Sequence, residues 1–250
     1  MNELVRCTNL CRNFENVRAL DGVDLSLSSG RIVGLLGPNG SGKTTLIKIL
    51  NGLLQPTSGT ILMGDKECVG PGSDRGMVFQ DFALFPWRTV LQNVEFGMEV
   101  AGVPKEERKE RALKYIKAVG LERFADSRIH ELSGGMKQRV GIARALVMHP
   151  AIILMDEPFG ALDAQTRNIM QEQLVKIIQR SERTIVFVTH SVDEALYLSD
   201  RVVILTKRPS TIYKVIDVPW ERPRDRTNPE FTKLRKDILA YLEDQNVMEN

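Results

Sequence analysis

The feature of this sequence that most restricts its fold is an apolar run that ends in a glycine-rich loop. Residues 32–36 read Ile-Val-Gly-Leu-Leu, a composition typical of a strand buried on both faces. The loop that follows has glycine at positions 37, 40 and 42, and an amphipathic stretch after it predicts a helix from Thr44 to Leu53. The predicted core-facing residues of that helix are Leu46, Ile47, Ile49, Leu50 and Leu53. A buried strand, a tight glycine loop and a helix are the opening unit of a parallel α/β fold.

The loop has the residue types that phosphate binding requires. Its spacing, G-x-x-x-x-G-K-T, lets the backbone wrap closely and point its N–H groups inward, and the helix adds its positive end at the same point. Lys43 would place a cation on the β- and γ-phosphates of a nucleotide, and the Thr44 hydroxyl would ligate Mg²⁺. The predicted nucleotide-binding residues here are Gly37, Pro38, Asn39, Gly40, Ser41, Gly42, Lys43, Thr44 and Thr45.

The spacing of apolar residues divides the rest of the chain into strand-like and helix-like stretches. The first thirty residues read as short antiparallel strands, residues 76–80 as a further strand, and residues 81–150 as a helical stretch in which Pro104 opens a charged helix. Strands alternate with helices again from about 151 to 218, including a helix over about 165–180. We therefore predict an α/β domain over 1–218, with a helical subdomain inserted at about 81–150. A C-terminal arm and an amphipathic helix are expected over 219–250.

Composition excludes several classes of protein. Lys and Arg together number 34 against 32 Asp and Glu, so the formal net charge of +2 gives no general attraction to nucleic acid. The three cysteines have no paired spacing, which argues against a disulfide framework or a zinc site and favours a reducing cytosol. No run approaches the ~20 apolar residues that span a bilayer. We expect a cytosolic protein that reaches a membrane only through a partner.

A second strand carries acidic residues at its end. Residues 152–155 are apolar, and Asp156 and Glu157 follow them, at the edge where open α/β sheets bind their ligands. Asp156 would hold Mg²⁺ through water, and Glu157 would polarise the attacking water as a general base. A purely structural interpretation of such a strand is equally reasonable when it stands alone. The phosphate-binding loop upstream favours the catalytic interpretation.

A third motif carries a resemblance to a known family. Residues 132–136, Leu-Ser-Gly-Gly-Met, resemble the LSGGQ signature of the ATP-binding-cassette (ABC) ATPases, and other motifs of that family follow its order along the chain. The matching residues are Phe14 (A-loop), Gln80 (Q-loop), Asp156 and Glu157 (Walker B), Ala161-Leu162-Asp163 (D-loop) and His190 (switch histidine). The resemblance implies a P-loop NTPase (ABC ATPase) core with an N-terminal antiparallel β subdomain and the helical insertion. Two residues depart from the common pattern, because Phe14 replaces Tyr and Met136 replaces Gln.

The resemblance also implies a role for each residue. Phe14 would stack on adenine, and Lys43, Glu157, His190 and Gln80 would act in ATP hydrolysis, with Gln80 also contacting Mg²⁺. Ser133, Gly134 and Gly135 would bind the γ-phosphate of an ATP that is held by a second copy, and Asp163 would cross the dimer interface. The implied assembly is a homodimer that encloses two ATP·Mg²⁺.

Two segments resemble a narrower group, the nitrate, sulfonate and taurine importer ATPases of bacteria. They are residues 78–94 and the pair Arg208-Pro209 with Arg222-Pro223-Arg224-Asp225-Arg226. The implied partners are two transmembrane permease subunits and, indirectly, an extracytoplasmic solute-binding protein, at the cytoplasmic face of a bacterial membrane. The apolar run from Phe82 to Trp87 has two interpretations, which are local packing and a groove for a permease helix.

Two other functions were weighed. One is a soluble ABC ATPase that acts on nucleic acid or the ribosome; such proteins usually carry a second cassette, a coiled-coil insertion or a basic extension, which this sequence lacks. The other is a scaffold that binds ATP without hydrolysing it. Glu157 and His190 argue against that scaffold.

Overall fold

The computed structural model describes residues 2–160, 162–179 and 183–247. Ala161 of the predicted D-loop and Arg180 at the end of a predicted helix lie outside the described residues. The elements in chain order are β1 (Glu3–Phe14), β2 (Val17–Ser28), β3 (Ile32–Leu36), α1 (Lys43–Asn51), β4 (Ser58–Met63), β5 (Lys66–Glu67), β6 (Arg75–Val78), α2 (Val90–Val100), α3 (Lys105–Ala118), α4 (Gly134–Leu146), β7 (Ile152–Asp156), α5 (Ala164–Gln179), β8 (Thr184–Val188), α6 (Val192–Leu198), β9 (Arg201–Leu205), β10 (Ile212–Asp217) and α7 (Pro229–Val247).

These elements form two compact units. Unit 1 combines the two ends of the chain, Met1–Gly72 and Glu182–Asn250, and unit 2 is the continuous stretch Ser73–Ser181. The predicted domain boundaries at 81, 150 and 218 remain predictions. Among the described residues, no helix has both the length and the hydropathy that crossing a lipid bilayer requires.

Unit 1 contains two sheets. In the first, β2, β1, β4 and β5 lie in that order and pair antiparallel. The pairing of β1 with β2 agrees with the prediction for the first thirty residues, although each strand has 12 residues and is longer than the short strands predicted. In the second, β3 lies between β8 and β9 and is parallel to both, and β10 pairs antiparallel with β9. Every residue of β3 is buried, which confirms the prediction from its apolar run. Helix α6 packs on β3, and α7 packs on α6.

Helix α1 ends earlier than its sequence pattern predicts. It stops at Asn51, because Gly52 adopts a left-handed backbone with φ of 79°. The amide N–H groups of Gly52 and Leu53 turn back to the Ile49 and Lys48 carbonyl oxygens, which closes the helix. Leu53 is 47% exposed, so the prediction that it faces the core was wrong.

Unit 2 is mainly helical, as predicted for residues 81–150. Helices α2, α3 and α4 enclose an apolar cluster to which Val94, Met98, Ile116 and Val140 belong, and β6 and β7 pair in parallel. Two boundaries differ from the prediction. Strand β6 ends at Val78, so residues 79 and 80 lie beyond it, and Pro104 is the N-cap residue of α3 and not its first helical residue.

Candidate active site

The glycine loop of unit 1 encloses the side chain of its own lysine. Lys43 is 5% exposed, and its Nζ donates hydrogen bonds to the Gly37 and Pro38 carbonyl oxygens at 2.9 and 2.8 Å. Gly40 and Gly42 have φ of 74° and 81°, a region that glycine enters without strain. The loop therefore holds a cation at its centre by local backbone contacts.

Helix α1 begins directly after this loop. Gly42 occupies the N-cap position and offers no side chain to the first turn, which also contains no acidic residue. The first N–H groups of a helix have no partner within it and carry the positive end of its dipole. The start of α1, at Lys43, Thr44 and Thr45, is therefore suited to bind an anion such as a phosphate.

Two basic residues beside the loop were not predicted as site residues. Arg208 lies so close to Gly40 that a Cβ there would sit 3.2 Å from the arginine Nη2. Lys207 lines a cavity of about 350 Å³ together with Gly37, Pro38, Asn39 and Leu242. The sequence signal is the pair Arg208-Pro209, which by itself indicates only a resemblance to the narrower group of importer ATPases. Both residues lie between β9 and β10, far along the chain from the glycine loop.

Phe14 ends strand β1 and is 40% exposed. The Arg12 guanidinium carbon lies 4.5 Å from its ring centroid, in a cation–π contact. This contact covers part of the aromatic ring, and the exposed remainder is available for stacking with a planar base.

His190 lies in a turn that is tightly hydrogen-bonded. It is exposed and follows β8, while the neighbouring Thr189 is 4% exposed. The Thr189 hydroxyl donates to the Glu194 carboxylate and accepts the Ser191 N–H at 3.0 Å. The Ser191 hydroxyl caps α6 by accepting the Glu194 N–H at 3.2 Å. These bonds fix the backbone on both sides of His190.

In unit 2, the predicted acidic residues lie at the end of β7. Asp156 is its last residue and is 5% exposed. Glu157 has a φ of 47°, an uncommon conformation for a residue with a side chain. Its Oε2 lies 3.5 Å from Gln80 Nε2, at the outer limit of a hydrogen bond. The structure thus brings Gln80 and Glu157 together.

The signature residues form the beginning of α4. Ser133 is the N-cap residue, and its Oγ accepts the Met136 N–H at 3.3 Å, so Gly134 and Gly135 are the first helical residues. A Cβ on Gly135 would lie 3.1 Å from Leu162 Cδ2. Asp163 accepts the Thr166 N–H at 2.9 Å, and its hydrogen bonds to the Thr166 side chain and backbone lower its pKa. The signature and the D-loop are therefore neighbours within unit 2.

The apolar segment 82–87 fits each of its two interpretations in part. Arg144 donates to the Phe82 and Ala83 carbonyl oxygens at 3.0 and 2.6 Å, and its burial lowers its pKa. The Phe85 ring packs against the Phe96 ring in a tilted arrangement, with centroids 4.5 Å apart, which is local packing. Trp87 is 68% exposed, and its carbonyl accepts a hydrogen bond from Arg128. The segment is anchored at its base and presents an indole at the surface.

The predicted site residues are shared between the two units. Unit 1 holds Phe14, residues 37–45 and His190, whereas unit 2 holds Gln80, residues 133–135, Asp156, Glu157 and Asp163.

Comparison with known proteins identifies the family. Residues 20–160 match the family model of the ABC transporter. An ABC transporter ATP-binding protein of Methanocaldococcus jannaschii is 54% identical over 98% of this chain and 93% of its own length. The nitrate import ATP-binding protein NrtD of Synechocystis is 46% identical over 94% of this chain and 93% of its own length.

A solved structure agrees with the sequence relatives. It is a dimeric ATP-binding cassette in a post-hydrolysis state, bound to ADP and Pi. It is 33% identical and superposes with a TM-score of 0.77, covering 87% of this chain and all of that one. The predicted α/β cassette fold and the predicted resemblance to importer ATPases are confirmed. The chain belongs to the ABC transporter family, in which it is an ATP-binding and ATP-hydrolysing cassette.

Proposed function

We propose that this ATPase powers solute uptake through two separate permease subunits, as a homodimer at the cytoplasmic face of a membrane. A solute-binding protein on the other side would deliver the solute. The nitrate importer relative supports this proposal, since it aligns over nearly the whole of both chains. We infer a small anion or a related organic solute, as for the nitrate, sulfonate and taurine systems.

The glycine loop would hold the ATP phosphates. Lys43 is poised inside the loop, at 2.8–2.9 Å from two carbonyl oxygens, and would exchange these bonds for the β- and γ-phosphate oxygens. The N–H groups of residues 37–45 would bind the same phosphates, and the exposed part of the Phe14 ring would stack on adenine. The buried lysine within this loop is the observation that carries the nucleotide assignment.

The residues assigned to Mg²⁺ are Thr44, Gln80 and Asp156. Within the described residues, no three acidic, histidine or cysteine side chains cluster so that they could hold a metal by themselves. Mg²⁺ in nucleotide sites usually takes one or two carboxylates, and phosphates complete its shell. A single buried carboxylate at Asp156 fits that pattern. Bound Mg²⁺ would neutralise charge on the phosphates.

Glu157 would act as the general base, and His190 would contact the γ-phosphate. Gln80, which lies 3.5 Å from Glu157, is placed to orient that carboxylate and to report nucleotide state to the helices of unit 2. The left-handed backbone of Glu157 supports a functional role, because such strain persists only where surrounding structure holds it.

The signature residues would bind the γ-phosphate of an ATP that the second copy holds. The start of α4 offers N–H groups and the positive end of a helix, next to the Ser133 hydroxyl. Asp163, exposed beside this motif, would contact the partner subunit. The dimeric cassette relative supports a homodimer in which ATP forms part of the interface.

Trp87 is the residue we assign to the permease contact. Its side chain is 68% exposed, while Arg128 and Arg144 hydrogen-bond to the backbone of its segment. The indole is therefore accessible on a backbone that is held in place. An exposed aromatic side chain on an anchored loop is typical of an interface hot spot.

The experiment that tests this function is purification from membranes with the Glu157→Gln variant and ATP. That variant should bind ATP, form stable dimers and lose about 100-fold or more of its turnover, because general-base catalysis contributes roughly 10²–10⁴. Phosphate release and size-exclusion chromatography measure both effects. Permease subunits should co-purify with this variant. The amount of co-purified permease should fall when Trp87 is also replaced by alanine.

The matched control is Glu172→Gln, an exposed glutamate on α5, which should hydrolyse ATP normally. Normal turnover in Glu157→Gln would remove the general-base role. Co-purification of RNA or ribosomes without any membrane subunit would contradict the importer function.

A further inference from the structure

In the arm between β10 and α7, residues 218–228, two arginines donate hydrogen bonds to carbonyl oxygens of α6, and a third, Arg226, lies 4.2 Å from the centroid of the Tyr197 ring on that helix. Arg224 is 6% exposed, and its Nη1 donates to the Leu196 carbonyl at 2.6 Å while its Nε donates to the Trp220 carbonyl at 2.9 Å. Arg222 Nη1 donates to the Leu198 carbonyl at 2.7 Å. Each guanidinium therefore links the arm to the last turn of α6.

These two bonds satisfy carbonyl groups that the helix itself leaves open. The last carbonyls of a helix have no N–H partner within it and form its negative end. In α6, the Ser199 N–H bonds to Ala195, and the arm supplies cations to Leu196 and Leu198. Burial, with repulsion from Arg222 as the second cause, lowers the pKa of Arg224 to about 10, and nearby Asp200 opposes the shift. Arg224 therefore stays buried as a cation, although desolvation disfavours its charged form.

Asp200 extends this contact to the strand that leads into the glycine loop. Its Oδ1 lies 3.0 Å from Arg222 Nη1, and its Oδ2 accepts the N–H of Ile32 at 2.8 Å. Ile32 is the first residue of β3, and β3 ends directly before Gly37. One cluster of charges thus joins the arm, the end of α6 and the strand of the phosphate-binding loop.

At the opposite end of α6, His190 lies directly before the N-cap residue Ser191. The helix has only seven residues, about 10 Å at 1.5 Å per residue, so a shift at its end moves its beginning as well. Helix α7 adds a contact at that beginning, because Arg235 Nε lies 3.0 Å from Asp193 Oδ1. Phe231 and Ile238 of α7 are buried in the same apolar cluster as Ala195. The arm and α7 together therefore fix both ends of α6.

We propose that the arm positions His190 for catalysis, with Arg224 and Arg222 as the positioning residues. This inference rests on the role proposed for His190 in ATP hydrolysis. Neither arginine needs to touch the nucleotide. By holding α6 against β3, they keep the imidazole at one place relative to the loop that binds the phosphates.

The first test is Arg224→Lys in the full chain. A lysine keeps the charge, but its single ammonium lacks the planar fork that bonds the Leu196 and Trp220 carbonyls together. We expect kcat to fall about tenfold while the KM for ATP stays within about twofold, since small misplacement costs catalysis more than binding. Arg201→Lys, which alters an exposed ion pair with Asp217 on the same unit, is the matched control and should leave both constants unchanged.

A second readout detects the position of His190 directly. The chain has three histidines, at positions 130, 149 and 190, so the imidazole signals are readily assigned by NMR. Arg224→Lys should shift the signal of His190 and leave those of His130 and His149 in place. In a His190→Ala background, Arg224→Lys should lower the remaining rate by less than about twofold, because the two residues act as one unit.

If Arg224→Lys fails to fold, the same kinetic and NMR measurements are made on Arg222→Lys. An unmoved His190 signal, or rate losses that simply multiply in the double variant, would overturn the positioning role. Full turnover in His190→Ala would overturn the proposed function of that histidine, and with it any catalytic effect of the arm. Loss of turnover in His190→Ala, with normal rates in both arginine variants, would overturn the arm's role alone.

Discussion

Two glycine-rich segments, residues 37–44 and 133–135, each lead into the first turn of a helix, yet they use glycine for different reasons. In the first, Gly40 and Gly42 adopt left-handed backbones. In the second, Gly134 and Gly135 are ordinary helical residues at the start of α4. The first segment leaves its helix without a side-chain cap, whereas Ser133 caps the second.

This difference distinguishes a glycine that the backbone conformation requires from a glycine that only function would require. The backbone conformation requires glycine at position 42, where a Cβ would also lie 2.9 Å from Leu20 Cδ2. At Gly134, no described atom lies within 4 Å of the site of a Cβ. The fold of a single chain therefore gives no reason for glycine at position 134. A second molecule that approaches this position would explain the absence of a side chain. Substitutions can test this contrast.

The largest expected effect is that of Lys43→Ala. Removing the cation from the first segment should weaken ATP binding by about 100-fold or more, since charge-assisted bonds to phosphate are among the strongest hydrogen bonds. Equilibrium binding of a fluorescent ATP analogue measures the loss. Lys48→Ala, an exposed lysine on the same helix, is the control. Unchanged affinity in Lys43→Ala would count against the phosphate assignment.

Gly42→Ala should lower the free energy of unfolding by about 2 kcal/mol, because an alanine there is strained and also crowds Leu20. Gly64→Ala is the matched control, since Gly64 has φ of 59° with no described atom near the added Cβ. Chemical denaturation of both variants separates backbone strain from crowding. Equal losses would show that crowding at position 42 contributes nothing.

Gly134→Ala should have the smallest effect on stability and should even raise it by about 0.5 kcal/mol, because alanine favours a helix more than glycine does. Its ATPase rate should nevertheless fall, since the added methyl would meet the partner's nucleotide. Gly141→Ala, within the same helix, should keep the rate unchanged. A normal rate in Gly134→Ala would break the contrast between the two segments.

Local patterns in the sequence were sufficient to predict much of the fold. The apolar run of β3 and the alternation of the N-terminal strands depend on neighbouring residues and were predicted. The ends of helices were predicted less accurately. Leu53 continues the apolar periodicity of α1, but the left-handed backbone of Gly52 overrides that periodicity.

The candidate site divides in the same way. Lys43 and Ser133 lie in contiguous motifs, and each makes its hydrogen bonds to residues close to it in sequence. The contacts of Arg208 with Gly40 and of Arg224 with Leu196 join residues far apart in sequence. No local pattern encodes such contacts, so they became visible only in the folded chain.

The division of the chain between its two units has a consequence for biosynthesis. Unit 2 is one uninterrupted stretch, so a ribosome delivers all of it before β8 and β9 are translated. Strand β3 is made before β8 and β9, the two strands that pair with it, and α7, which adds Phe231 and Ile238 to the core, follows them. Until β8 and β9 have been made, the nascent polypeptide exposes an unpaired apolar strand that can bind chaperones or aggregate. A polypeptide that stops before α7 would therefore keep the glycine loop but lack Phe231 and Ile238, which pack in the same cluster as Leu36 at the end of β3.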